Sequence, residues 1–81
     1  MSAGPPDGFV ESLMETNLYS MGAYFTDQHP ELVDDVIAES EAIERRGLER
    51  YAADEGLSAE ETFQTLITGL AVRYYNALST Y

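Results

Sequence analysis

The amino-acid sequence predicts an all-α protein, a small three-helix bundle over about 8–25, 30–55 and 59–80 that self-association would complete. Three observations lead there. Apolar residues recur at three-and-four spacing through most of the chain, the period of a helix face. No stretch alternates apolar with polar residues as a half-buried strand does, and no internal repeat or low-complexity tract intervenes. The interruptions fall at Thr26-Asp27-Gln28-His29-Pro30 and around Gly56-Leu57-Ser58, both rich in turn chemistry.

Residues 1–8, Met-Ser-Ala-Gly-Pro-Pro-Asp-Gly, offer nothing periodic to bury and read as a flexible N-terminal segment ahead of a single helical domain over 9–81. In the first helix Phe9, Val10, Leu13, Met14, Leu18, Met21, Tyr24 and Phe25 share a face, with Glu11, Ser12, Glu15 and Thr16 on the other side. Pro30 ends that helix, because the residue before a proline avoids the helical region, and itself suits the first turn of the next. The second helix carries an inner stripe of Leu32, Val33, Val36, Ile37, Ser40, Ile43, Gly47, Leu48 and Tyr51. Arg45-Arg46-Gly47 has the form of a C-terminal signal. Leu48, Tyr51 and Ala52 nevertheless stay in phase with the stripe, and one interior glycine costs only about 1 kcal/mol, so the helix is expected to run through Gly47 and stop at Gly56. Ser58-Ala59-Glu60-Glu61 reads as a capping box that opens the third helix. There Phe63, Leu66, Ile67, Leu70, Tyr74, Ala77, Leu78 and Tyr81 form the main stripe, and Ala71, Val72 and Tyr75 a second apolar edge that two short partner helices would struggle to cover.

Charge separates the third helix from the rest. The whole chain of 81 residues carries 15 acidic groups against four arginines and no lysine, a net charge of -11. Residues 62–81 contain a single charged side chain, Arg73, and a helix so poor in charge is usually surrounded by protein. The acidic field repels nucleic-acid phosphate and anionic membrane alike. With no cysteine and one histidine, disulfides, thiolate nucleophiles and cysteine zinc sites are excluded, and no cofactor is expected. No leader-like segment and no uninterrupted apolar run of membrane-spanning length occurs, so a cytoplasmic location is expected. Dense carboxylate without lysine resembles the composition of proteins from a halophile's cytoplasm, where multimolar salt cuts the screening length to about 3 Å.

Several constellations invite a chemical reading. Glu31, Asp34, Asp35 and Glu39 share one helix face and carry the oxygen ligands a hard cation takes, but the inward Glu-x-x-His step of di-iron bundles is missing, so a solvated acidic face is expected and no metal. The same acidic face spaces its charges loosely like a phosphate track, which makes an acidic nucleic-acid mimic that inhibits a nucleic-acid-binding protein the alternative reading. Glu41 and Arg45, Arg46 and Glu49, and Arg50 and Asp54 lie three or four apart and are expected to pair along the helix. Arg73 has no carboxylate at such spacing, so it either reaches water or pairs with a carboxylate on another helix or another subunit.

Tyr51-Ala52-Ala53-Asp54-Glu55-Gly56-Leu57-Ser58 resembles the turn of helix-turn-helix modules through its alanine-to-glycine step and its turn residues, a resemblance that covers about a quarter of the chain. The resemblance implies that the third helix would enter a DNA groove, as an atypical helix-turn-helix regulator would. That helix begins Ala59-Glu60-Glu61 without a basic residue, so no direct nucleic-acid contact is expected. No nucleophile with a nearby base and no phosphate-cradling glycine loop is evident, and no catalytic residue is assigned. The expectation is a non-enzymatic module that contacts a protein partner or itself, as a homodimer, through Leu70, Val72, Arg73, Tyr74, Tyr75, Leu78 and Tyr81.

Overall fold

The computed structural model describes the backbone of residues 9–79 and the side chains of 17–79; the expected N-terminal segment 1–8 and Tyr81 lie outside the described residues. Among these, the chain forms helix α1 (Phe9–Gln28), a 3₁₀ turn (Pro30–Leu32), α2 (Val33–Arg46), α3 (Leu48–Glu55) and α4 (Ala59–Ser79), with no strand. The all-α class is as expected. The number of helices is not, because the long second helix divides at Gly47.

Helix α1 runs three residues past its expected end. The His29 N–H still donates to the Phe25 carbonyl at 2.8 Å, so the helical ladder survives up to the residue that precedes the proline. Only His29 itself leaves the helical region, at φ -136° and ψ 58°. The third expected helix opens as its sequence requires: the Ser58 N–H donates to Glu61 Oε1 at 3.1 Å, and the Glu61 N–H donates to Ser58 Oγ at 3.0 Å. Ahead of it, Gly56 in the left-handed region closes α3, with its N–H on the Ala53 carbonyl and the Leu57 N–H on that of Ala52, the paired bonds of a Schellman turn.

The break at Gly47 follows from how α2 and α4 are aligned. Val36 lies beside Thr65, Ser40 against Gly69, and Glu44 is hydrogen-bonded to Arg73, so the two helices run parallel in step. A continuous helix would carry the chain on past α4, whereas α4 must begin back beside the start of α2. Helix α3 makes the return, with Tyr51 brought within reach of the Glu39 carboxylate and of Arg46. Gly47 sits at φ 94° and ψ 145°, a region essentially restricted to glycine, while its N–H and carbonyl keep their bonds to Ile43 and Tyr51. The local cost of an interior glycine was therefore the wrong quantity to weigh. Chain return decided the matter.

Helix α4 is the hub. It packs on α1, α2 and α3, whereas among the described residues α1 and α2 have no substantial interface with each other. Antiparallel α1 meets it at Gly22, where a Cβ would fall 2.7 Å from both the Ala71 carbonyl carbon and Tyr75 Cβ. Parallel α2 meets it at Gly69, where a Cβ would overlap the Ser40 side chain and lie 2.8 Å from the Val36 carbonyl oxygen. Helix axes come closest where side chains are smallest. Among the described residues the core accordingly includes Val36, Ser40, Ile43, Tyr51, Ala52, Thr62, Ala71 and Val72. The Ser40 and Thr62 hydroxyls donate to carbonyls of their own helices or caps, Ser40 to Ile37 at 2.8 Å and Thr62 to Ser58 at 2.9 Å, which removes the penalty of burying them.

A candidate protein-contact face on α1 and α4

The α4 packing reverses the two apolar edges expected from its sequence. The small-residue edge, Ala71 and Val72 with Gly69 and Thr62, is buried, and the large-residue stripe is the one left toward solvent. Phe63 is 52% exposed and Leu78 43%, and Ile67, Leu70 and Tyr74 between them are half-buried. The reason is steric: α1 docks through its Gly22 and α2 against Gly69 of α4, and only small α4 side chains fit at these close approaches.

Beside this stripe, α1 contributes Leu18 and Met21, the latter 43% exposed. Together with Asn17, Ile67 and Leu70 they line an open groove of about 300 Å³. A second hollow of about 280 Å³ continues it past Met21 to Phe63, Gln64 and Thr68. Among the described residues, no side chain that lines either is ionisable. Tyr24, farther along α1, is 68% exposed.

The residues expected to make contact are thus divided. Leu70, Tyr74 and Leu78 belong to the open stripe. Val72 does not: it is fully enclosed in the chain's own core and offers a partner nothing. Arg73 also turns inward. Its guanidinium forms an ion pair with Glu44 of α2, one of the two partner classes open to it from its sequence surroundings, and its Nε is buried without an acceptor. Tyr75 packs edge-on against Tyr19 of α1, with ring centroids 5.2 Å apart, so it helps to hold α1 in place. Met21 and Leu18 are not among the residues expected to make contact, because in the sequence they are simply two members of the long α1 stripe; the neighbouring Gly22, which admits α4 on an adjacent face, is the signal that sets them apart.

Charge lies elsewhere. Asp34, Asp35, Glu39 and Glu41 are exposed on α2, and the described residues hold no cluster of three or more acidic, histidine or cysteine groups able to hold a metal. The arginine ladders differ from expectation. Arg50 pairs with Asp54 at 3.9 Å as its spacing requires. Arg46 instead crosses the Gly47 bend to Asp54 and Glu55, each at 3.9 Å, and lies 5.6 Å above the Tyr51 ring, while Arg45 forms no ion pair among the described residues. Burial of the Tyr51 phenol, reinforced by Glu39 and Glu55 and opposed by Arg46, holds its pKa above the ordinary 10.0. On the other side of α1, a shallow depression of about 360 Å³ is lined by Phe25, Val36, Glu39, Glu61, Gln64, Thr65 and Thr68. Its Thr65 and Thr68 hydroxyls already donate to the Glu61 and Gln64 carbonyls, and Glu61 is held by Ser58, so little there is directed at a ligand.

With this geometry in hand, comparison adds no name. No family model, no curated protein and no solved structure matches the chain. No described helix is long and apolar enough to cross a membrane.

Proposed function

We propose that the chain is a non-enzymatic contact module that binds other protein through the α1/α4 face, working in the cytoplasm of a salt-rich cell. One observation carries the reading: the helix that organises the core turns its large apolar side chains outward and its small ones inward. Exposed Phe63, Met21 and Leu78, beside a groove whose described lining carries no charge, on a body of net charge -11, form the kind of apolar patch that marks an interaction surface. The salt-rich setting rests on composition, because 15 carboxylates with no lysine repel one another strongly in dilute buffer.

The test is a display library of amphipathic helices panned against the protein immobilised at low density. Selected peptides are expected to lose binding to Leu70→Asp and Phe63→Glu and to keep it with Asp34→Asn, Asp35→Asn and Glu39→Gln combined. The opposite pattern, with binders that are basic and depend on the three α2 carboxylates, would establish the acidic nucleic-acid mimic instead.

A further inference from the structure

We infer that the occupant of the α1/α4 face is a second copy of this chain, related by a two-fold axis that passes beside Leu70 and sets the two α4 helices antiparallel. The inference rests on the contact-module reading above and names its partner. An isologous interface needs one patch that is complementary to itself. On α4 the outward residues Phe63, Ile67, Leu70, Tyr74 and Leu78 meet that condition. Phe63 and Leu78 stand at equal distances, about 11 Å, on either side of the point between residues 70 and 71, and so do Ile67 and Tyr74 at about 5 Å. Antiparallel pairing about that point sets Phe63 against Leu78 of the other copy and Ile67 against Tyr74, with apolar contact at every level. The groove beside Leu18 and Met21 then receives side chains that project from the other copy.

Charge selects the same face. Bringing together two bodies of net charge -11 is opposed over most of their surface, and the exposed carboxylates of α2 and of the α4 start would be set against each other in most orientations. Within α4, residues 62–79 carry no charge but Arg73, which is already paired with Glu44 on the side away from the stripe. The size also fits. A helix of 21 residues is about 31 Å long, and two neighbouring helices are about 20 Å wide, so the face offers roughly 600 Å², close to the ~800 Å² that each partner contributes to an interface of standard size.

Sedimentation equilibrium of the full chain, at low and high KCl, tests this together with disulfide trapping, since the chain has no cysteine of its own. A dimer is expected whose Kd falls as KCl is added, because screening removes repulsion between the acidic bodies; association with a basic partner would weaken instead. Leu70→Cys is expected to trap a covalent dimer under mild oxidation, and Asp34→Cys on the outer side of α2 is not. Phe63→Glu and Leu78→Glu occupy positions about half exposed, so the fold should persist by circular dichroism while Kd rises at least about tenfold. A mass of 9.0 kDa at every concentration overturns the inference, and so does a dimer trapped through Asp34→Cys or dissociated by KCl. A monomer that still captures amphipathic helices through Leu70 overturns self-pairing alone; a monomer that captures none overturns the contact reading with it.

Discussion

Gly22 and Gly69 hold α4 at its short distance from α1 and α2, and a side chain at each would meet a different obstacle. At Gly22 a Cβ would run into the Ala71 carbonyl, a backbone group that cannot rotate away. At Gly69 the first obstacle is the Ser40 side chain, which mutation can remove. Alanine normally stabilises a helix interior over glycine by up to about 1 kcal/mol, whereas overpacking costs about 1–3 kcal/mol or more, so the steric term wins at both positions. Gly22→Ala and Gly69→Ala are each expected to lower unfolding free energy in urea by about 2 kcal/mol or more. Adding Ser40→Gly should recover part of the Gly69→Ala loss and none of the Gly22→Ala loss. Equal behaviour of the two double variants would show that the close approach is not local to these pairs.

Titration separates two other residues. Hydrogen bonds from the Ser58 N–H and hydroxyl hold Glu61 below the ordinary glutamate value of 4.5. A depressed carboxylate contributes stability above its unfolded pKa and loses it as pH falls through the folded one. The difference in melting temperature between the wild type and Glu61→Gln is therefore expected at neutral pH and should shrink through the acid range below about 4.5. Tyr51 works in the opposite direction. Its folded pKa is raised, so its contribution is complete below 10.0 and is lost as pH climbs through the higher folded value; Tyr51→Phe should abolish that alkaline loss.

Among the four described α-helices, α3 is the shortest and packs least on its neighbours, so its two ends matter most to it. Gly56 and the capping box of Ser58 and Glu61 were recognisable in sequence because their signals are local: one residue with positive φ, then a serine and a glutamate three apart. Gly47 gave a comparable local signal, and it was outweighed by a stripe that stayed in phase. Its φ of 94° with ψ of 145° lies outside the left-handed well that asparagine or aspartate can share. Gly47→Ala is therefore expected to cost about 1–3 kcal/mol by chemical denaturation, although nothing within 4 Å would touch the new methyl. A neutral substitution would mean that α2 and α3 join smoothly in solution. Loss of Ser58 Oγ, in Ser58→Ala, should cost about 1 kcal/mol by the same measure.

For the molecule as a whole, self-repulsion and apolar burial oppose each other, and salt acts on both. Screening weakens the repulsion among 15 carboxylates, and added salt strengthens the drive to bury the α4 stripe. Melting temperature is expected to rise steadily between about 0.1 and 2 M KCl. A flat response would remove the salt-rich setting from the proposal while leaving the α1/α4 face in place. Arg73 adds a structural check at this level: Arg73→Ala removes the pair with Glu44 that ties α4 to α2 and should lower thermal stability more than Arg50→Ala, whose partner Asp54 lies on the same short helix.

The helical class, the turn at Pro30, the stop at Gly56 and the charge-poor character of α4 were all legible in the linear order of residues, because period, capping and composition are local properties. So was the stripe Leu70, Tyr74 and Leu78 as a feature in need of cover. Which side of α4 faces inward was not legible. Hydropathy ranks Phe63 and Leu70 above Thr62 and Gly69 for burial, yet α1 and α2 approach α4 at Gly22 and Gly69, where there is room only for small side chains. That choice, the return of the chain at Gly47 and the inward turn of Arg73 toward Glu44 depend on three helices meeting at once, and only their packing in three dimensions could decide them.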